Sequence, residues 1–139
     1  MTRRWLLLLG STLADDARVR AALVALVALG ELGAVRLLAP IRHGPGSRDP
    51  RRSYFNALAE LECALGRDPL IAALKAIEHT LGRRRGQAEV AIDIDLLACG
   101  QAGRWHADAH ALDKGEFAQP HTLALLQAAG IAPEGLARD

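Results

Sequence analysis

The chain has 139 residues, half of them apolar and 24% charged, which suits a single domain over 1–139 that can bury a proper core. A net charge of +1 gives no global pull toward nucleic acid or a membrane surface, and no apolar run is long enough to span a bilayer as a helix. Cys63 and Cys99 stand apart with no CxxC pair, so they read as reduced thiols of a cytoplasmic protein.

In chain order, Arg3-Arg4 followed by Trp5–Leu9 mimics an export signal, but the apolar run is too short and Gly10-Ser11 breaks it. Arg4–Leu9 therefore reads as a buried first strand, with Gly10-Ser11-Thr12-Leu13 as its exit loop. Asp15 to about Leu32 reads as a helix with Val19, Leu23, Leu26 and Val27 on its apolar surface, ended by Gly33. Val35–Ile41 is a second strand, and the Gly- and Pro-rich stretch His43–Arg52 a loop. In a third strand, Tyr54–Cys63, Tyr54, Asn56 and Leu58 alternate with Phe55, Ala57 and Ala59. Asp68-Pro69 opens a second helix as N-cap and first-turn proline; Leu70, Leu74, Ile77 and Leu81 form its stripe, and Gly82 stops it. After a polar loop at Gly86–Glu89, Val90–Ala98 is a fourth strand. Beyond Gly100 the pattern weakens to loops, a short helix near Thr122–Ala129 and a frayed end from Pro133.

The order β-α-β-β-α-β predicts an α+β, ferredoxin-like fold: an antiparallel sheet with both helices on one face and the other face open to a ligand or to loops. On the fourth strand Asp93 and Asp95 share a face, opposite Ile92, Ile94 and Leu96. Paired carboxylates repel unless a cation neutralises them, and Mg²⁺ takes such hard oxygen ligands together with phosphates. A solvated strand edge would carry the same pattern. His106-Ala107-Asp108-Ala109-His110 lacks a third strong ligand for zinc.

Taken together, Gly10-Ser11-Thr12-Leu13, Tyr54-Phe55-Asn56-Ala57, Ile77-Glu78 leading into Gly82-Arg83, Ile92-Asp93-Ile94-Asp95, and then His110 and Phe117 resemble one family in order, the first four also in spacing. It is the 6-hydroxymethyl-7,8-dihydropterin pyrophosphokinase family of folate biosynthesis, and the resemblance runs from Leu6 to about Pro133. It implies a ferredoxin-like transferase that moves the terminal diphosphate of ATP to a pterin hydroxymethyl group with two Mg²⁺ ions. The implied roles are Asp93 and Asp95 as metal ligands, and Arg83 and Arg85 on the phosphates. Lys75, Glu78 and His110 would lie on the ATP side. His43, Gly44, Tyr54, Asn56 and Phe117 would lie around the pterin, with Asn56 bonding its edge and Tyr54 and Phe117 against its ring. The expected partners are ATP and a pterin, with no nucleic acid or membrane, and the expected state is a monomer.

Each role has a plainer reading: Tyr54 and Phe117 as packing, and Arg83-Arg84-Arg85 as a complement to a helix dipole. The chain also departs from the family pattern. The arginine three residues before the first aspartate is Val90, and the arginine a little before the family's histidine is not clearly present, with Arg104 as a candidate substitute. The arginine before the phenylalanine falls at Gly115-Glu116, a Thr-Pro pair reads His43-Gly44, and the chain is short after Phe117. The alternative is a non-catalytic pterin- or nucleotide-binding paralogue. A ferredoxin-like RNA binder is disfavoured by the few aromatics.

Overall fold

The four consecutive leucines Leu6–Leu9 are buried on both faces of a strand, β1 (Arg3–Ser11), and this strand is the centre of the molecule. A computed structural model describes residues 2–30, 34–45, 51–133 and 136. β1 pairs antiparallel on one side with β4 (Ser53–Cys63) and on the other with β5 (Asp93–Gln101). Outside β4 lie β2 (Val35–Leu37) and β3 (Arg42–Pro45), and outside β5 lies β6 (Arg104–Ala107). The described sheet runs β2-β4-β1-β5-β6, with β3 also on β4, and with its helices it makes the expected α+β ferredoxin-like arrangement.

Alternation along the strands builds two cores. Leu7, Leu9, Ala57, Ala59, Leu61, Ile92, Ile94 and Leu96 pack under α1 (Ala17–Val27) and α2 (Arg67–Thr80). Leu6, Leu8, Leu58, Leu97 and Ala98 form the second core. A register shift opposite Leu6/Leu7 lets Leu97 and Ala98 both join it, and the Leu97 carbonyl accepts a bond from the Asp108 N–H at 2.8 Å. This second face is not left bare. α3 (Ala109–Asp113), a 3₁₀ turn at Glu116–Ala118 and α4 (Pro120–Ala128) cover part of it through Ala111, Leu125 and Leu126. Among the described residues, the end of this face beside Gly10 opens into a cavity.

Several boundaries differ from the sequence expectations. α1 ends at Val27 rather than near Leu32, and the Gly33 stop lies outside the described residues. The second strand is two strands, because Pro40 has no N–H to donate and Ala39 turns into the second core. His43–Pro45 thus belongs to a strand, while 46–50 of the expected loop lie outside the described residues. The N-cap of α2 is Gly66, with Asp68 and Pro69 in the first turn, where free N–H groups favour a carboxylate and tolerate proline. β5 starts at Asp93 because Val90 bonds instead to the exit loop of β1: its N–H donates to Thr12 Oγ1 at 2.7 Å, and its carbonyl accepts from Thr12 N–H at 2.9 Å. The weak pattern after Gly100 hides a hairpin, turned by Ala102 and Gly103 with positive φ. Of the end expected to fray, 134–135 and 137–139 lie outside the described residues, and Leu136 is buried.

Candidate active site

The pleat places one cross-strand row at the open end of the second face: Asn56 on β4, Gly10 on β1 and Asp93 on β5 are register partners. Asp95 lies one step further, beside Leu8. Gly10 keeps the middle of the row empty; a Cβ there would stand 2.9 Å from Asn56 Nδ2. Asn56 is only 5% exposed, and its amide donates to the Leu9 carbonyl at 3.4 Å. The loop after β1 is locked: Ser11 Oγ, fully buried, accepts from Leu13 N–H at 3.2 Å.

Two cavities open onto the aspartates. The larger, about 960 Å³, runs along α2, the loop after it and α3. Lys75, Glu78, Arg83, Arg84, Arg85 and His110 line it, together with Arg67 and Lys114. The smaller, about 340 Å³, lies over the row and is lined by Tyr54, Asn56, Gly10, Val90, Gln119 and His121. Arg83, Asp93, Asp95, Lys114 and Glu116 line both, so the carboxylate pair stands at the junction of two lobes.

The electrostatics of that junction are specific. Arg83 Nη1 lies 2.7 Å from Asp93 Oδ1 and 3.8 Å from Glu78 Oε2. Glu78 Oε2 also accepts from the Ile94 N–H at 2.7 Å, which ties α2 to β5. Lys114 Nζ stands 3.6 Å from Asp95 Oδ1 and 3.8 Å from Glu116 Oε1. Burial, then the Asp93 and Glu116 charges, push Asp95 up to about 8 against the pull of Lys114. Burial raises Glu78 as well, helped by the Asp93 charge and opposed by the Ile94 N–H and Arg83. Burial lowers His121, and the Arg42 charge lowers it further.

Ten residues proposed from sequence thus line one cleft: Asp93 and Asp95 at its junction with Arg83; Lys75, Glu78, Arg85 and His110 in the large lobe; Tyr54 and Asn56 in the small one; and Val90 at the departed position. His43 goes elsewhere. Its ring stacks on Phe55 with centroids 4.2 Å apart, and Phe55 packs toward the helix-bearing core. Gly44 pairs with Tyr54 at the rim without lining either lobe, and Phe117 packs half-buried against the second core. Arg104 pairs with Gln101 at the far end of β5, roughly 25 Å along the strand from Asp93, so it cannot stand in for an arginine at the junction.

Lys114, Gln119 and His121 line the cleft without having been singled out from sequence, and Glu116, named there only as a departure, joins them. Lys114 is the one Lys or Arg between Arg104 and Arg138, a signal that was available. Asp108 is engaged by Arg67 at 2.7 and 3.1 Å and caps α3, so it is not a free ligand beside His106 and His110. No group of three or more His, Cys, Asp or Glu suited to a metal occurs among the described residues. The two aspartates do fit a hard divalent cation that keeps water and phosphate ligands. They face the same way, and burial beside each other raises the cost of ionising Asp95 when no cation is present.

Fold and site together define a ferredoxin-like α+β protein with a two-lobed cleft that meets at a carboxylate pair and is rimmed by cations on its larger side. Residues 6–130 match the family of 7,8-dihydro-6-hydroxymethylpterin-pyrophosphokinase (HPPK), and the chain belongs to that family. Membership implies a pyrophosphokinase activity in folate biosynthesis. Comparison with curated proteins gives no match. No helix among the described residues is long and apolar enough to cross a membrane.

Proposed function

We propose that this chain transfers diphosphate from ATP to the hydroxymethyl group of a 6-hydroxymethyl-dihydropterin, in an Mg²⁺-dependent reaction. The observation that carries the reading is the meeting of two cavities, one cation-rimmed and one small and mixed in polarity, at Asp93 and Asp95. The large lobe takes the nucleotide, with Arg83, Arg84, Arg85 and Lys75 offering charge to the triphosphate. The small lobe takes the pterin, with Asn56 presenting an amide to its edge and Tyr54 an aromatic surface. In the reaction the hydroxymethyl oxygen bonds to the β-phosphorus, the bond from that phosphorus to the bridging oxygen breaks, and AMP leaves with its electron pair. The hydroxyl proton is lost to water.

Asp93 and Asp95 would hold the magnesium, which when bound supplies charge neutralisation to the phosphates and acidifies the hydroxyl. The residues themselves orient and neutralise. Arg83 spans Glu78 and Asp93, so it delivers its guanidinium to the edge of both lobes. The pleat aims Asn56 and the aspartates at one volume, so the acceptor and the phosphate chain are held adjacent, which is where most of the rate is gained. The free thiols Cys63 and Cys99 support a reducing, cytoplasmic setting.

The test is pterin-dependent AMP formation from MgATP, run beside calorimetric titration of each ligand. Arg83→Ala should lower the rate on the order of 10²-fold or more and change pterin affinity less than threefold. A second reading follows from the resemblance, which implies arginines at Val90 and near Gly115-Glu116 that this chain lacks. Pterin binding with no AMP would establish the non-catalytic paralogue instead.

A further inference from the structure

The chemistry proposed above asks for cations where the diphosphate moves from one lobe to the other. Among the described residues only two cationic side chains line both lobes, Arg83 and Lys114. They approach the carboxylate pair separately, Arg83 at Asp93 and Lys114 at Asp95. We propose that Lys114 is a catalytic residue: its ammonium contacts the transferring phosphoryl group and supplies positive charge at the junction of the two lobes. The assignment rests on the proposed diphosphoryl transfer.

The local fold delivers this side chain deliberately. Lys114 caps α3, its N–H donating to the His110 carbonyl at 3.0 Å. Gly115 follows with φ of 74°, a left-handed conformation that reverses the chain at once. The reversal holds Lys114 and Glu116 side by side over Asp95, with ammonium-to-carboxylate distances of 3.6 and 3.8 Å. The ammonium is not locked there. At 3.6 Å the pair with Asp95 is loose, and the side chain stays 43% exposed on a flexible stem. With Asp95 neutral, the ammonium is free to turn toward a phosphate oxygen held at the junction of the lobes it lines. Lysine binds phosphate as a mobile point charge, which suits a group that must follow the diphosphate across a junction. Glu116 argues the same way. Its carboxylate at the junction would repel phosphate, and Lys114, 3.8 Å away, is the group that screens it.

The test compares Lys114→Ala, Lys114→Met and Lys114→Arg in the full-length protein. Three quantities are read: single-turnover AMP formation, affinity for an ATP analogue with a non-transferable α,β-methylene bridge in Mg²⁺, and pterin affinity. Lys114→Ala and Lys114→Met should lower the rate on the order of 10²- to 10³-fold. Analogue affinity should fall less than tenfold and pterin affinity less than threefold, with melting temperature unchanged because the side chain is half exposed. Lys114→Arg should recover at least a tenth of the wild-type rate; a purely structural pairing with Asp95 would not separate rate from affinity in this way. Lys114→Met covers the case in which the alanine variant folds poorly, since it keeps the stem. A neutral variant within threefold of the wild-type rate overturns the assignment alone. A wild-type protein that binds both ligands and forms no AMP overturns the proposed function and the assignment with it.

Discussion

Asp95 makes the stability of the ligand-free protein depend on pH with an unusual sign. Its carboxyl is pushed up to about 8, first by burial and then by the Asp93 and Glu116 charges. An unfolded aspartate titrates near 4. Between those values the folded chain holds a proton that the unfolded chain has lost. Stability therefore falls as pH rises across that window, with a slope approaching about 1.4 kcal/mol per pH unit, and is flat from this group below and above it. Asp95→Asn removes the titration while keeping the shape, so it should flatten the slope and stabilise the metal-free protein at pH 8. Mg²⁺ should act oppositely on the wild type. It competes with the proton, so its stabilisation should be large at pH 8 and small at pH 5, reaching about 2.7 kcal/mol at a hundred times the dissociation constant. The assay is urea unfolding at pH 5, 6, 7 and 8, with and without Mg²⁺, on both proteins. An equal slope in wild type and Asp95→Asn, or equal Mg²⁺ stabilisation of the two, would refute the reasoning.

Gly10→Ala should displace the Asn56 amide, because the new Cβ stands 2.9 Å from Nδ2; pterin affinity should drop tenfold or more for a stability loss of about 1–3 kcal/mol, and calorimetry returning wild-type affinity would contradict it. Phe117→Ala should destabilise by about 1–3 kcal/mol, since the ring packs half-buried against the second core; unchanged unfolding with pterin affinity down tenfold would put the ring in the pocket instead. Val90→Arg should raise the rate of AMP formation several-fold, because Val90 lines the small lobe beside Arg83 while its backbone is pinned by Thr12; a lowered or unchanged rate in a single-turnover assay would count against a simple cation deficit.

The first face of the fold was legible because its elements carry strong periods. Leu6–Leu9, the alternation through Tyr54–Cys63 and the α2 stripe are each long enough to exclude other readings. The second face was not. β6, α3 and the 3₁₀ turn are three to five residues each, too short for a period to show, and the cover they form with α4 is held where Ala111, Leu125 and Leu126 join Leu6, Leu8 and Leu97 in the second core. The site followed the same division. Asp93, Asp95, Tyr54 and Asn56 sit on long strands whose pleat is readable, and all four line the cleft. Lys114, Glu116 and His121 are brought in by the covering elements, so their place in the cleft shows only in the tertiary structure. His43 was misplaced for a related reason: the break at Pro40 resets the second strand, and pairing with Phe55 sends its ring to the other face.

In the ligand-free junction each aspartate faces a cation, and this shapes how the proposed ligands would enter. Asp93 has Arg83 and Asp95 has Lys114, so neither aspartate waits without a partner. A divalent cation arriving alone would set two side-chain cations loose inside a lobe already rich in positive charge. A triphosphate arriving alone would meet arginine and lysine already engaged by carboxylates. On the proposed function, arriving together would let them exchange partners: Asp93 and Asp95 would hold the dication, freeing Arg83 and Lys114 for phosphate oxygens. Such an exchange would keep the aspartate charges compensated, which is the condition under which burial at such a site is tolerable. Arg83 and Lys114 are, among the described residues, the cationic side chains that line both lobes, so they are the ones the exchange would free to meet phosphates.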